Sequence, residues 1–194
     1  MESNIISPRK KIYSSEELRA EGVSYYKIAE MVKDRKLIRL NKSYYQNVSY
    51  KGRENDFYFV PAYVPQGIIC LMSAAVYYNL TSFMPDRIDV AVGQKNIVSQ
   101  NTGSIYIKPY FFSEARLSIG VKKIREGRNC FRIFDIEKTV IDIISFRNKI
   151  GIEDTKEILV NYLSRPGRKI NQLYRYAGRL GCLKTLKTYL EVLL

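Results

Sequence analysis

The chain has 194 residues, 46% of them hydrophobic, and carries 32 Lys and Arg against 19 Asp and Glu, a net charge of +13. This length is enough for one large or two small domains with a buried core. The complete absence of histidine excludes Ser-His-Asp and Cys-His catalysis and histidine-ligated zinc.

The positive charge lies at both ends of the chain. Residues 1–53 carry 12 Lys and Arg against 6 Asp and Glu, residues 54–119 carry 4 against 5, and residues 120–194 carry 16 against 8. Two basic regions favour a polyanion as partner. No apolar run approaches the roughly 20 residues that span a bilayer, and the first residues lack the apolar stretch of a signal peptide. We therefore expect a cytoplasmic protein that binds nucleic acid and no membrane.

Residues 14–34 show the pattern of a helix-turn-helix. Ser14 and Glu17 have the spacing of a capping box, which predicts that a helix begins there. Gly22 supplies a residue without Cβ at the turn, and Ser24 is expected to cap a second helix that runs to about Asp34. On this second helix one arc is expected to face the core, and it comprises Tyr25, Ile28, Ala29, Met31 and Val32.

A hairpin is predicted directly after the second helix. The runs 37–40 and 44–46 flank the polar residues Asn41, Lys42 and Ser43, which is typical of two short strands and a turn. Two helices followed by such a hairpin predict a winged helix-turn-helix that binds double-stranded DNA. The alternative is an ordinary helical hairpin beside a β-ribbon, whose lysines only solvate a surface.

The chain changes character after residue 54. Residues 47–56 are polar and are predicted to be a linker between a DNA-binding domain, 1–50, and a second domain, 56–194. In the second domain we predict a buried helix over 66–79, strands over 88–92, 104–111, 118–124 and 130–134, and helices over approximately 137–148, 153–164, 169–180 and 183–193. The predicted fold class is α+β, a winged helix followed by a mixed α/β domain with a small sheet and a C-terminal helical bundle.

No metal, cofactor or catalytic residue is predicted. Cys70, Cys130 and Cys182 form no Cys-x-x-Cys pair and are expected to be buried, reduced thiols. Pro85-Asp86 and Gln94-Lys95 flank a predicted strand in a pattern weakly similar to magnesium nucleases, but Gln94 occupies the position of the second acid. A turn at Asp86, with Asp89 on the solvated face of the strand, is the simpler interpretation.

Several segments, in order along the chain from about Ser15, resemble the AbiEi-type antitoxins, the winged-helix transcriptional regulators of viral defence. These segments are 37–45, 64–75, 80–85, 138–142, 146–151 and 189–191. The chain has Ser43 where that family tends to have Gly, so a positive φ at this turn would be unfavourable.

The resemblance implies an antitoxin of a bacterial abortive-infection toxin-antitoxin system for phage defence. Such a protein represses its own operon by binding inverted repeats in the promoter. It also antagonises a nucleotidyltransferase toxin of the AbiEii type without a stable complex, and it is not an enzyme. A winged-helix transcription factor with a ligand-sensing or dimerisation domain is the main alternative, and a winged-helix nuclease fusion is a second.

Two sets of residues are predicted to carry these functions. For DNA binding, we expect base edges to be contacted by Tyr26, Lys27 and Glu30. Ser24 and Tyr25, at the start of the second helix, are expected to lie close to the DNA backbone, and phosphates are expected to be bound by Lys33, Arg39 and Lys42. For antitoxin activity, a basic face is assigned to Lys122, Lys123, Arg125, Arg128, Arg147 and Lys149. Such a face would attract RNA or an acidic toxin surface.

Overall fold

A computed structural model describes residues 6–94, 102–103 and 105–193. Its chain divides into two compact units, the first formed by residues up to Gln66 together with 123–131, and the second by 67–122 and 132–194. The first unit therefore extends beyond the boundary predicted near residues 50–56. Asn47, at the start of the predicted linker, is only 1% exposed, and its Nδ2 donates to the carbonyl oxygens of Ser7 and Lys10 at 3.0 Å each.

The first unit contains a three-stranded antiparallel sheet with the order β1-β3-β2. Its elements are β1 (Ile12–Ser14), α1 (Ser15–Ala20), α2 (Tyr25–Lys33), β2 (Leu37–Arg39), β3 (Tyr44–Asn47), a 3₁₀ turn (Asp56–Phe59) and α3 (Val60–Tyr63). The two helices and the hairpin predicted between residues 14 and 46 are confirmed as secondary structure. Strand β1 was not predicted.

The second unit is built around a mixed five-stranded sheet with the order β6-β5-β4-β8-β7. Its strands are β4 (Ile68–Ile69), β5 (Ile88–Gly93), β6 (Ile107–Phe112), β7 (Val121–Glu126) and β8 (Asn129–Phe134). Its helices are α4 (Leu71–Tyr77), α5 (Glu114–Leu117), α6 (Ile136–Ser145), α7 (Arg147–Ile150), α8 (Ile152–Leu163), α9 (Ile170–Arg179) and α10 (Leu183–Leu193). The division between the units falls within β7 and β8, whose residues 123–131 belong to the first unit.

Helix α6 forms the centre of the second core. Every residue from Glu137 to Ile144 is buried, and α4, α8, α9 and α10 contribute apolar side chains to the same cluster. The four C-terminal helices predicted from the sequence are confirmed as α6, α8, α9 and α10, and the α+β class holds. Among the described residues, no helix combines the length and the apolar character needed to cross a membrane.

The predicted helix over 66–79 is partly wrong. Ile69 lies in β4, where it pairs with Val90 of β5 and with Ile133 of β8, and the helix begins only at Leu71. An apolar run does not distinguish a buried strand from a buried helix, and here pairing on both sides of β4 decides between them. Ser104, the first residue of another predicted strand, lies outside the described residues; the strand itself begins at Ile107.

A fully buried ion pair lies within α6. The side chains of Lys138 and Asp142 are 0% exposed, and Lys138 Nζ donates to Asp142 Oδ2. Arg116 Nη1 donates to the other carboxylate oxygen at 2.6 Å. Burial raises the pKa of Asp142 and lowers that of Lys138, so both charged forms depend on their partners. This network gives the 138–142 segment a structural role.

Candidate nucleic-acid interface

Helices α1 and α2 are fixed by their caps and by a small core. Ser14 Oγ accepts from the amide of Glu17 while Glu17 Oε2 accepts from the amide of Ser14, which completes the predicted capping box. Gly22 has φ +85 at the turn, a conformation that glycine adopts without strain. Ser24 Oγ caps α2 through the amide of Lys27. The sequence thus sets both helix starts locally.

The outward face of α2 carries large and basic side chains. Ile28 and Met31 are buried at 2% and 9% exposure, whereas Tyr25 is 61% and Tyr26 is 75% exposed. The placement of Tyr25 and Ala29 on the inner arc is therefore wrong, since both are exposed. Tyr25 precedes the first inward position of the helix, and its ring lies 4.8 Å from the Arg19 guanidinium instead of entering the core.

The remaining residues predicted to bind DNA from α2 lie on or beside this exposed face. Lys33 is exposed, and Lys27 Nζ is 3.1 Å from Glu30 Oε2. An exposed pair of this kind contributes little stability. The pair does reduce the repulsion that Glu30 alone would experience near a phosphate backbone.

The hairpin of β2 and β3 is held by its turn and by a contact within the first unit. Asn41 Oδ1 accepts from the amides of Ser43 and Tyr44 at 2.9 and 3.0 Å, and Asn41 Nδ2 donates to the carbonyl of Ala62 at 2.8 Å. Ser43 does not adopt a positive φ, so the unfavourable conformation anticipated there is absent. Lys42 is exposed at the tip, on a turn with fixed geometry.

The six residues of the predicted antitoxin face do not form one cluster within either unit. Lys123, Arg125 and Arg128 belong to the first unit, and Lys122, Arg147 and Lys149 to the second. In the second unit these three line three different clefts. In the first unit, Arg128 Nη2 pairs with Glu21 Oε1 at 2.7 Å, so its charge is already partly neutralised.

Two expectations about single residues are wrong. Cys70 and Cys182 are buried, but Cys130 is exposed, because it alternates on β8 with the buried Asn129 and Phe131. Asp89, predicted on a solvated face, is only 4% exposed, since β5 lies inside the sheet and is covered on both faces. Lys95, which the nuclease interpretation requires, lies outside the described residues.

Asp89 lines a cleft of about 380 Å³ in the second unit. Its Oδ2 accepts from the amide of Met72 at 3.1 Å, and burial raises its pKa to about 6, against the opposing effect of Lys108. Lys108 is the register partner of Asp89 on the parallel strand β6. Lys149 also lines this cleft, which therefore combines a buried acid with basic side chains.

We predict that Asp89→Asn removes a pH dependence of stability. The folded-state pKa of Asp89 lies above the ordinary value of 3.8, so the folded chain binds this proton more tightly. The free energy of unfolding then falls from about pH 4 to about pH 6 and stays lower above that. A difference of two pKa units corresponds to about 3 kcal/mol. Asn can still accept from the Met72 amide and has no charge to bury.

Urea unfolding of both proteins across this pH range measures the effect. Asp89→Asn should match the wild type near pH 4 and exceed its stability near pH 7.5, by up to about 3 kcal/mol. Parallel profiles for the two proteins would show that the Asp89 carboxylate is not destabilised by burial.

Comparisons with known proteins give no family. No family model matches the chain, and no curated protein matches it. Among solved structures, the chain is similar to the crystal structure of the RV2827C protein from Mycobacterium tuberculosis, with 11% sequence identity and a TM-score of 0.45. The match covers 94% of this chain and 76% of that one. A similarity at this level supports no conclusion about function.

Proposed function

We propose that this protein is an AbiEi-type antitoxin with two activities. A winged helix-turn-helix in the first unit binds the promoter of its own operon and represses it. The second unit antagonises a nucleotidyltransferase toxin without a stable complex. In this proposal the protein acts as a cytoplasmic regulator and not as an enzyme.

The observation that carries the DNA-binding half is the exposed face of α2. Tyr25 and Tyr26 are more than half exposed. They directly follow Ser24, the N-cap of α2, and the same helix carries Lys27 and Lys33. In helix-turn-helix proteins the first residues of the second helix enter the major groove. Aromatic hydroxyls and lysines there supply donors for bases and phosphates.

The hairpin supports the same proposal. Lys42 lies exposed at its tip and Arg39 at the end of β2, where a wing contacts the DNA backbone. Arg39 Nε donates to the Asn41 carbonyl at 3.1 Å, which restricts its side chain and leaves its other guanidinium donors for a phosphate.

We predict that Lys42→Ala weakens DNA binding without changing sequence preference. Removal of one phosphate-binding lysine should reduce the slope of log K against log salt by about one. Lys51→Ala is the matched control, because Lys51 is an exposed lysine of the same unit outside α2 and the hairpin. Fluorescence anisotropy with the DNA upstream of the reading frame measures both. An unchanged slope in Lys42→Ala would remove the wing from the interface.

The antitoxin half rests on the resemblance and on the basic charge of residues 120–194. If the second unit competes with the toxin for an RNA or nucleotide target, it can antagonise the toxin without contacting it. A positively charged surface attracts such a target. Lys122 and Lys149 belong to the second unit and are exposed, and among the described residues neither forms a salt bridge. They are better probes than Arg128, whose change would also release Glu21.

The experiment that tests the two activities uses a promoter reporter and the reading frame downstream as the toxin. Tyr26→Ala with Lys33→Ala should abolish repression and leave rescue intact, because these exposed residues belong only to the first unit. Lys122→Glu with Lys149→Glu should impair rescue and leave repression intact, because both residues belong to the second unit. Point variants are needed because the first unit includes 123–131, so a truncation near residue 54 would divide it. A wild-type chain that neither represses nor rescues would refute the proposal.

A transcription factor whose second unit senses a small ligand is the second candidate. It is favoured by the cleft that holds Asp89, Lys108 and Lys149, where a buried carboxylate faces basic groups as in many small-molecule sites. A ligand that changes promoter affinity in the absence of any toxin would favour this candidate.

A further inference from the structure

We propose that a second cleft of the second unit, lined by Lys122, Arg165, Arg168 and Lys169, binds the phosphate group of a nucleotide or of single-stranded RNA. The cleft has a volume of about 240 Å³. It lies where the start of β7 approaches the turn between α8 and α9. This site is separate from the proposed DNA-binding surface, which belongs to the other unit, and it deepens the antitoxin half of the proposed function, on which the choice of an RNA or nucleotide ligand rests.

The cleft gathers four cations around a single acid. The acid, Glu137, is 5% exposed, and its Oε1 accepts from the Tyr162 hydroxyl at 3.4 Å and from the Lys169 amide at 3.3 Å. Among the described residues, none of the four cationic side chains forms a salt bridge with Glu137 or with any other acid. Like charges held together without counter-ions produce a local positive potential, which a bound anion relieves.

The turn holds its arginines in place before any ligand arrives. Arg165 Nη1 donates to the carbonyl of Tyr78 at 2.6 Å, and Arg168 Nη1 donates to the carbonyl of Arg165 at 3.2 Å. Gly167 has φ +76 in this turn, which permits the chain reversal. A guanidinium has five N–H donors, so each arginine keeps donors for an anion and loses less side-chain entropy on binding it.

The size and the donors of the cleft favour a phosphate. Sites for whole drug-sized ligands occupy about 300–1,000 Å³, so a smaller cleft suits one charged group with the rest of the molecule outside. Arginine matches the geometry of phosphate oxygens through paired N–H donors. The exposed positions of Lys122, Arg168 and Lys169 leave the mouth open to a strand or a nucleotide.

The test measures two probes with the full chain. Anisotropy follows a labelled single-stranded RNA of about ten nucleotides, and calorimetry follows ATP. The variant is Lys122→Gln with Arg168→Gln and Lys169→Gln. The control is Arg175→Gln with Arg179→Gln and Lys187→Gln, which removes the same charge from positions of α9 and α10 outside this cleft. Equal unfolding midpoints in urea establish that both variants fold.

We expect the cleft variant to raise the Kd of at least one probe about tenfold or more, and the control to change it by less than about twofold. With RNA, the salt slope should also fall by about 0.7 for each phosphate that the variant no longer neutralises. An effect on ATP and RNA alike identifies the phosphate group itself as the ligand, and an effect on RNA alone identifies the strand. Equal effects in the two variants, or no binding of either probe by the wild type, would overturn the proposal. Promoter-DNA affinity should be unchanged in the cleft variant. Failure of the phosphate-site proposal is therefore distinguishable from failure of the DNA-binding proposal.

Discussion

Replacing Asp142 with Asn is expected to lower the free energy of unfolding by about 3–5 kcal/mol. Lys138 and Asp142 have no exposed side-chain surface, so the variant leaves the Lys138 ammonium buried beside a neutral amide. Burial already lowers the pKa of Lys138, and without the carboxylate the charged form loses the partner that offsets this cost. The nearby Phe134 ring, 4.0 Å from Nζ, cannot replace a carboxylate.

Urea unfolding near neutral pH measures this decrease in stability. Asp86→Asn is the matched control, since the Asp86 side chain is 84% exposed, and it should change stability by less than about 0.5 kcal/mol. The double variant Lys138→Met with Asp142→Leu should recover much of the stability, because neither charge is then buried. A decrease below about 1 kcal/mol for Asp142→Asn would mean that the pair is not buried in solution.

Tyr26→Ala is expected to reduce the preference for promoter DNA by about 1–3 kcal/mol, or roughly 5- to 150-fold in the ratio of specific to scrambled affinity. Tyr26 is 75% exposed, so its truncation costs the fold almost nothing. The reduced preference therefore reports on DNA contact and not on stability. Binding to scrambled DNA, which depends on phosphate contacts, should change little.

Phe83→Ala provides the control, because it removes an aromatic ring that is 52% exposed in the second unit. Its specificity ratio should equal that of the wild type. If Tyr26→Ala also retained the wild-type ratio, the outward face of α2 would not be the part of the chain that distinguishes DNA sequences.

Local features of the first unit could be predicted from the sequence because their causes lie a few residues apart. The capping box joins Ser14 to Glu17, and the hairpin turn is set by Asn41 through amides two and three residues ahead. Strand β1 was missed because its partner is distant. Ile12 pairs with Gln46. The only local signal for this strand is the β-branched and aromatic pair Ile12-Tyr13 directly before a helix cap.

In the second unit, the errors come from burial that only the sheet order determines. The apolar run around Ile69 is compatible with a helix or a strand, and only its pairing with β5 and β8 decides for the strand. Asp89 has a polar side chain on a strand, and alternation predicts exposure; β5 is covered on both faces, so the acid is buried. The cleft lined by Lys122 and Arg168 is not predictable from the sequence for a related reason, since the two residues lie far apart in the chain and the charge near each does not show that the fold brings them together.

Affinity of the full chain for the DNA upstream of its reading frame, compared with a scrambled duplex of equal length, tests the central claim most directly. Anisotropy titrations from about 50 to about 200 mM salt give both affinities and their salt slopes. The proposed operator binding predicts a preference for the upstream DNA of at least about a thousandfold, and the Lys42→Ala slope should be about one lower. Equal affinity for the two duplexes at every salt concentration would contradict the assignment of α2 and the hairpin as a sequence-specific DNA-binding surface.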